Sequence, residues 1–252
     1  MDTRSILKAT DHRTTSLPTG PWAMTQIWHE LLFAHWPIAP DMLRPLIPST
    51  LPLDTFDGQC WVGIVPFHMS NVHPRGIPSV PGLSQFPELN VRTYVTLQDR
   101  PGVYFFSLDA GNAIAVAIAR SVFHLPYFKA QMSSRRIEDT IYYRSHRVHT
   151  NAPSADYIAT YRPIAPVVYA LRGTIEHWLT ERYYLYTTVR RDRDRVYRGD
   201  IHHRLWPLQI AELEVMRDTM TYSHGIHLPD TAPLLHYSQV QEVLIWPLRR
   251  IL

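Results

Sequence analysis

The chain has 252 residues, 45% of them hydrophobic and 19% charged, and carries a formal charge of only +3. That composition buries a substantial core as one large or two small domains, and no apolar run reaches the about 18 residues that a membrane-spanning helix needs. Cys60 is the single cysteine, which excludes an intrachain disulfide and fits a cytoplasmic protein.

Lys8 and Lys129 are the only lysines; every other basic residue is arginine. Arginine binds phosphate well, but here it alternates with acids, as in Arg190-Arg191-Asp192-Arg193-Asp194-Arg195. Such a run reads as a solvated hairpin tip that neutralises itself, so no nucleic-acid partner is expected. Gly-x-Ser-x-Gly, Gly-x-Gly-x-x-Gly and P-loop patterns do not occur, which leaves hydrolase, dinucleotide and nucleoside-triphosphate readings without support.

Residues 1–20 are polar and lack an apolar stretch, so they read as a flexible lead-in rather than a signal peptide. No linker, repeat or low-complexity tract divides the rest of the chain, and residues 21–252 are expected to form one domain. Met24 to His35 reads as a strand or a short helix. Pro40 to Arg44 reads as a short helix, with Pro and Asp suited to its first turn. The Asp57-Gly58 turn leads into a strand over Trp61 to Phe67.

The clearest pattern lies between Glu88 and Asp109. Leu89, Val91, Thr93, Val95 and Leu97 alternate with Glu88, Asn90, Arg92, Tyr94 and Thr96, and period two puts the two sets on opposite faces of one strand. A turn over Gln98 to Gly102 precedes a returning strand from Val103 to Asp109. A turn centred near Arg100 would set Arg92 opposite Asp109 as a cross-strand ion pair. Asn112 then caps an alanine-rich helix that ends near Phe123, before the Leu125-Pro126 break.

Strands are expected near Lys129 to Met132, Ile137 to Val148 and Tyr157 to Arg162. A helix from Thr174 to Arg182 precedes a hairpin of Tyr183 to Arg190 and Val196 to His202. Strands near Leu208 to Val215 and Val240 to Trp246 complete an α+β, mostly antiparallel arrangement.

Several blocks carry a family likeness: Phe86 to Val95, Phe106 to Ala110, Leu125-Pro126-Tyr127-Phe128, Leu32 to Trp36, Trp61 to Phe67 and Glu181-Arg182-Tyr183. From about Trp22 to Pro247 the chain resembles the bacterial YqjF-like family of unknown function, in the acetoacetate-decarboxylase-like superfamily. The resemblance implies a conical antiparallel β-barrel with flanking helices. Decarboxylases of that group carry a strand glutamate, a helix arginine and a lysine-bearing loop. Glu88 matches the glutamate and Arg120 the arginine, but the Schiff-base lysine position falls on Tyr127. An imine needs an amine with a lowered pKa, so the usual decarboxylation is not expected. Lys129, one or two residues on, could face either way.

Two readings of these residues stay open. In one, Glu88 and Tyr127 are catalytic as acid/base and polarising donor, while Asn90, Arg92, Asp109 and Arg120 bind a small-molecule ligand. Lyase, hydratase or isomerase chemistry on a small oxo-acid or carbonyl compound would suit that set. In the other, the same groups form a structural network, or a binding pocket without catalysis, and Tyr127 is an aromatic plug.

No cofactor and no metal are expected. His29-Glu30 with His35 puts its histidines six apart, about 240° round a helix, and neither His202-His203 nor His224-x-x-His227 has a completing partner. Cys60 reads as a core thiol. A homo-oligomer is compatible with the chain, and the ligand is not named by it.

Overall fold

The computed structural model describes residues 1–189 and 192–252, and of residues 121 and 122 the backbone alone. In chain order its elements are α1 (Thr3–Lys8), β1 (Met24–Ile38), α2 (Pro40–Leu43), β2 (Cys60–Pro74), β3 (Phe86–Leu97), β4 (Arg100–Ala110), α3 (Ala113–Val122), β5 (Tyr127–Ile137), β6 (Thr140–Arg147), β7 (Asp156–Pro163), α4 (Ile175–Thr180), β8 (Tyr184–Val189), β9 (Asp192–His202), β10 (Gln209–Asp218), β11 (Leu234–Ile245) and β12 (Arg249–Arg250). The expected α+β, mostly antiparallel barrel is borne out. Met24 to His35 belongs to a strand; of the expected tip Arg190 to Arg195, Asp192 to Arg195 belong to strand β9 instead, and Arg190 and Arg191 lie outside the described residues.

The strands hydrogen-bond in the order β12-β9-β8-β4-β3-β2-β1-β11-β10-β7-β6-β5, with two further pairings, β9 to β11 and β4 to β5. These pairings fold the sheet onto itself twice. The β4–β5 pairing closes a ring of nine strands through β3, β2, β1, β11, β10, β7 and β6; the β9–β11 pairing closes a smaller ring of seven through β8 and the same β4-β3-β2-β1-β11 wall. Strand β4 is parallel to both β5 and β8, which share one of its edges.

Period two sorts the shared wall. Leu32, Ala34, Val62, Ile64, Leu89 and Val91 pack into the nine-stranded ring against Ile141, Tyr143, Tyr157 and Tyr161. Leu31, Phe33, Val65, Phe67 and Met69 face the other way. The apolar face of β3 was expected to pack on helices; strands β5 to β7 stand there instead. Burial on both faces makes β1 and β2 nearly continuous apolar runs, each full side chain contributing about 1.5–3 kcal/mol.

The β3–β4 turn is tighter than expected. Gln98 and Asp99 take φ of 53° and 54°, a two-residue hairpin whose twist matches the strands, so β4 resumes at Arg100. Pro101-Gly102 is strand because backbone approaches closely there: a Cβ on Gly102 would lie 2.5 Å from the Tyr184 carbonyl oxygen. With a bulge between Val91 and Arg92, the register pairs Arg92 with Phe105 and Asp109 with Leu89. The expected Arg92–Asp109 pair is therefore wrong, and Asp109 lies on the opposite face of the wall.

Two more features anchor the frame. Asn112 caps α3 as expected, accepting from the Ile114 and Ala115 amides at 3.0 and 3.1 Å. The lead-in expected to be flexible is packed: Asp2 caps α1, and Ile6 is fully buried with Leu244 and Trp246.

Candidate active site

A cavity of about 340 Å³ lies on the inner face of the seven-stranded ring, between β3, α3, the 75–85 loop and strands β8 and β9. The alternation of β3 aims Glu88, Asn90 and Arg92 into it, and Tyr127, Thr180 and Arg182 join them. Most of the remaining wall is apolar, including Phe67, Phe105, Ile118, Leu185, Ile201 and Trp206.

Glu88 is buried, with 3% exposure. The Tyr127 hydroxyl donates to Glu88 Oε2 at 2.7 Å. Burial pushes the Glu88 carboxyl up from 4.5 to about 8, against the pull of hydrogen bonds from Tyr127 and Asn90. At neutral pH the carboxyl is thus mostly protonated and able to give or take a proton. Burial, reinforced by Glu88, holds the Tyr127 phenol well above its usual range, so it remains a donor. Asn90 Oδ1 is buried without a partner among the described residues.

Four residues along β3, Arg92 Nη2 donates to Tyr94 Oη at 3.4 Å, and its guanidinium carbon stands 5.3 Å from the Phe33 ring centre. No carboxylate among the described residues pairs with it, and its Nε is unsatisfied. Since Arg92 can only donate, Tyr94 accepts from it and keeps its own O–H for His35 Nε2, 2.6 Å away. His35 is fully buried; that burial, with Arg92 adding to it, drives the imidazole well below its ordinary pKa. Arg182 flanks the Tyr94 ring at 4.9 Å and donates to Asp54 Oδ2 at 2.6 Å. Sequence reasoning did not assign His35 or Arg182, although both stand in blocks that carry the family likeness.

Two expected ligand-binding residues lie elsewhere. Asp109 sits behind the wall, bound by Arg147 through Nε at 2.7 Å and Nη2 at 2.6 Å. Arg120 turns back onto β5: its Nη1 donates to the Tyr127 carbonyl oxygen and its guanidinium lies over the Phe128 ring. It supports the strand that carries Tyr127 and does not line the cavity.

Lys129 is exposed, its backbone N–H donating to His149 Nδ1 at 3.1 Å, and Lys8 is exposed as well. No lysine lines the cavity. Cys60 is buried, and burial raises its thiol. Among the described residues no group of three or more His, Cys, Asp or Glu could hold a metal ion, and no helix is long and apolar enough to cross a membrane.

The DUF2071 family, described as an uncharacterized conserved protein, matches residues 25–242. The uncharacterized protein YqjF of Bacillus subtilis (strain 168) is 50% identical over 235 residues, 93% of this chain and 95% of that one. Among solved structures, the acetoacetate decarboxylase of Legionella pneumophila superposes with a TM-score of 0.63 at 13% identity, covering 98% of this chain and 95% of that one. The enduracididine biosynthesis enzyme MppR, complexed with the condensation product of pyruvate and imidazole 4-carboxaldehyde, also gives 0.63 at 12% identity, covering 94% and 92%. An acetoacetate decarboxylase-like enzyme from Sphingomonas wittichii RW1 gives 0.60 at 13% identity, covering 96% and 97%. At such identities these likenesses establish the fold.

Proposed function

The chain belongs to the DUF2071 family, and from that premise we propose that its cavity takes a small carbonyl compound or oxo-acid, with Glu88 and Tyr127 exchanging protons with it. The observation that carries this reading is the 2.7 Å Tyr127–Glu88 contact inside a cavity that holds no lysine. The ionised fraction of Glu88 takes a proton from the carbon next to the carbonyl and its protonated form returns one, while Tyr127, which stays protonated, polarises the carbonyl oxygen. Such proton exchange is a step shared by lyase, hydratase and isomerase chemistry on carbonyl compounds. Arg92, further along β3 and with no carboxylate partner among the described residues, offers a cationic anchor to a ligand long enough to reach it. Solved relatives in fold include an acetoacetate decarboxylase and an enzyme bound to a product made from pyruvate, which supports this substrate class. Its setting is cytoplasmic on this reading, in keeping with the lone, buried Cys60.

The test is deuterium wash-in at the α-carbon of acetoacetate and of pyruvate in D₂O, followed by NMR. Exchange by the wild type that is lost in Glu88→Gln supports the proposal; equal exchange in both proteins overturns Glu88 as the acid/base. A second reading, ligand binding without turnover, is favoured by the largely apolar wall. It predicts that small molecules released from the purified protein are identifiable by mass spectrometry and returned unchanged on incubation.

A further inference from the structure

The polar groups of the cavity are strung out along one strand. Glu88 and Arg92 are four residues apart on β3, about 13 Å at the strand rise of ~3.3 Å per residue. The Arg92 head lies between the rings of Phe33 and Tyr94. A backbone separation of that size exceeds the length of a four-carbon oxo-acid.

The two ends differ in chemistry. At the inner end the guanidinium groups of Arg92 and Arg182 flank Tyr94, with Asp54 as the one carboxylate paired to them among the described residues. Two cations against one anion leave a single positive charge, and Arg92 Nε and Arg182 Nη2 are buried without hydrogen-bond partners. An uncompensated charge withdrawn from water is costly, and one bound anion relieves it. Trp178 packs on Tyr94 at 4.8 Å and on Arg182 at 4.2 Å behind this end.

The outer end is β3's start, beside the 75–85 loop and α3. Ile77, Val80 and Leu83 of that loop and Ile114 and Ile118 of α3 line the cavity, yet each is 43–55% exposed. Ile114 and Ile118 are four apart and so share a helix face. The rim of this cavity is apolar and open to solvent.

We infer that the cavity takes a monocarboxylate with an apolar chain of about ten carbons, its head held by Arg92 and Arg182 at the inner end and its chain running past Glu88 and Tyr127 to the isoleucine-lined mouth. The inference rests on this cavity being the ligand site and specifies the ligand further: one negative charge, a long apolar body and, where turnover occurs, a carbonyl at the level of Glu88.

Trp28, Trp206 and Trp246 line the cavity and report binding by fluorescence. Butanoate, hexanoate, decanoate and decan-1-ol, each below its aggregation limit, are the probes. The expected result is decanoate binding at least tenfold tighter than butanoate. Arg92→Gln weakens decanoate at least tenfold and leaves decan-1-ol unchanged, and Leu185→Trp, which fills the apolar wall, weakens decanoate and leaves butanoate unchanged. Equal binding of butanoate and decanoate by the wild type overturns the inference without any variant, as does undiminished decanoate binding by folded Arg92→Gln. Saturated acids carry no reactive carbonyl, so the two proposals fail separately. Proton exchange on acetoacetate without decanoate binding removes the long ligand and keeps the acid/base reading; decanoate binding without exchange does the reverse.

Discussion

Asp109 on β4 and Arg147 on β6 form a two-pronged ion pair across the nine-stranded ring, at 2.7 and 2.6 Å, with both side chains withdrawn from solvent. Arg147 also lies 4.2 Å over the ring of Phe128, the neighbour of Tyr127. The pair thus ties the shared wall to the strand that presents the phenol. Asp109→Ala strands a buried guanidinium and is expected to cost about 3–5 kcal/mol, whereas Asp109→Leu with Arg147→Met should cost much less. Urea unfolding of the single and double variants measures this, and a coupling energy near zero would refute the pairing.

Gly63 makes room for the buried histidine. A Cβ at that position would stand 2.8 Å from both Cδ2 and Nε2 of His35, closer than such contacts allow. Gly63→Ala should therefore push His35 off Tyr94, at a cost of about 1–3 kcal/mol. The Tyr94 hydroxyl then loses its acceptor. Unfolding midpoints together with the His35 imidazole NMR signals track the change, and an unshifted His35 resonance at unchanged stability would count against it.

Borohydride added with acetoacetate should leave the protein mass unchanged. An imine requires an amine that reaches the ligand, and Lys8 and Lys129 are both exposed and away from the cavity. Mass spectrometry that found a reduced adduct on Lys129 would mean that β5 can present that side chain inward.

The alternation of Glu88 to Leu97 was legible because one side of the strand is polar and the other apolar, and it correctly aimed Glu88, Asn90 and Arg92 together. The partner of Asp109 was not. It depended on a turn of two residues rather than five, and the distinguishing cue, Gly102 serving close backbone approach, looks the same in sequence as a turn glycine. Arg147 lies 38 positions from Asp109, two strands round the nine-stranded ring, and no local pattern joins them. The seven-stranded ring was hidden for the same reason: the β9–β11 closure involves only Ile201-His202 with Leu244-Ile245. Arg120 shows the limit of family resemblance, since its helix position matches while its head serves the backbone of Tyr127.

Stability should depend on pH through Glu88. Its carboxyl titrates at about 8 in the folded protein, against 4.5 in the unfolded chain. Between those values the folded state holds a proton that the unfolded state has released, so stability falls as pH rises through that window and levels off above it. The loss is about 5 kcal/mol at most for such a shift. Glu88→Gln cannot ionise, so it should remove this slope and be more stable than wild type at pH 9. Tyr127→Phe deletes a hydrogen bond that holds the carboxyl down, so its midpoint should move above the wild-type value. Urea unfolding from pH 4.5 to 9 gives the slopes, and infrared difference spectra give the titration of the protonated carboxyl band that Glu88→Gln lacks. A wild-type protein whose stability is flat between pH 5 and 8, with no carboxyl band titrating near 8, would show Glu88 ionised at neutral pH and leave it a base rather than an acid.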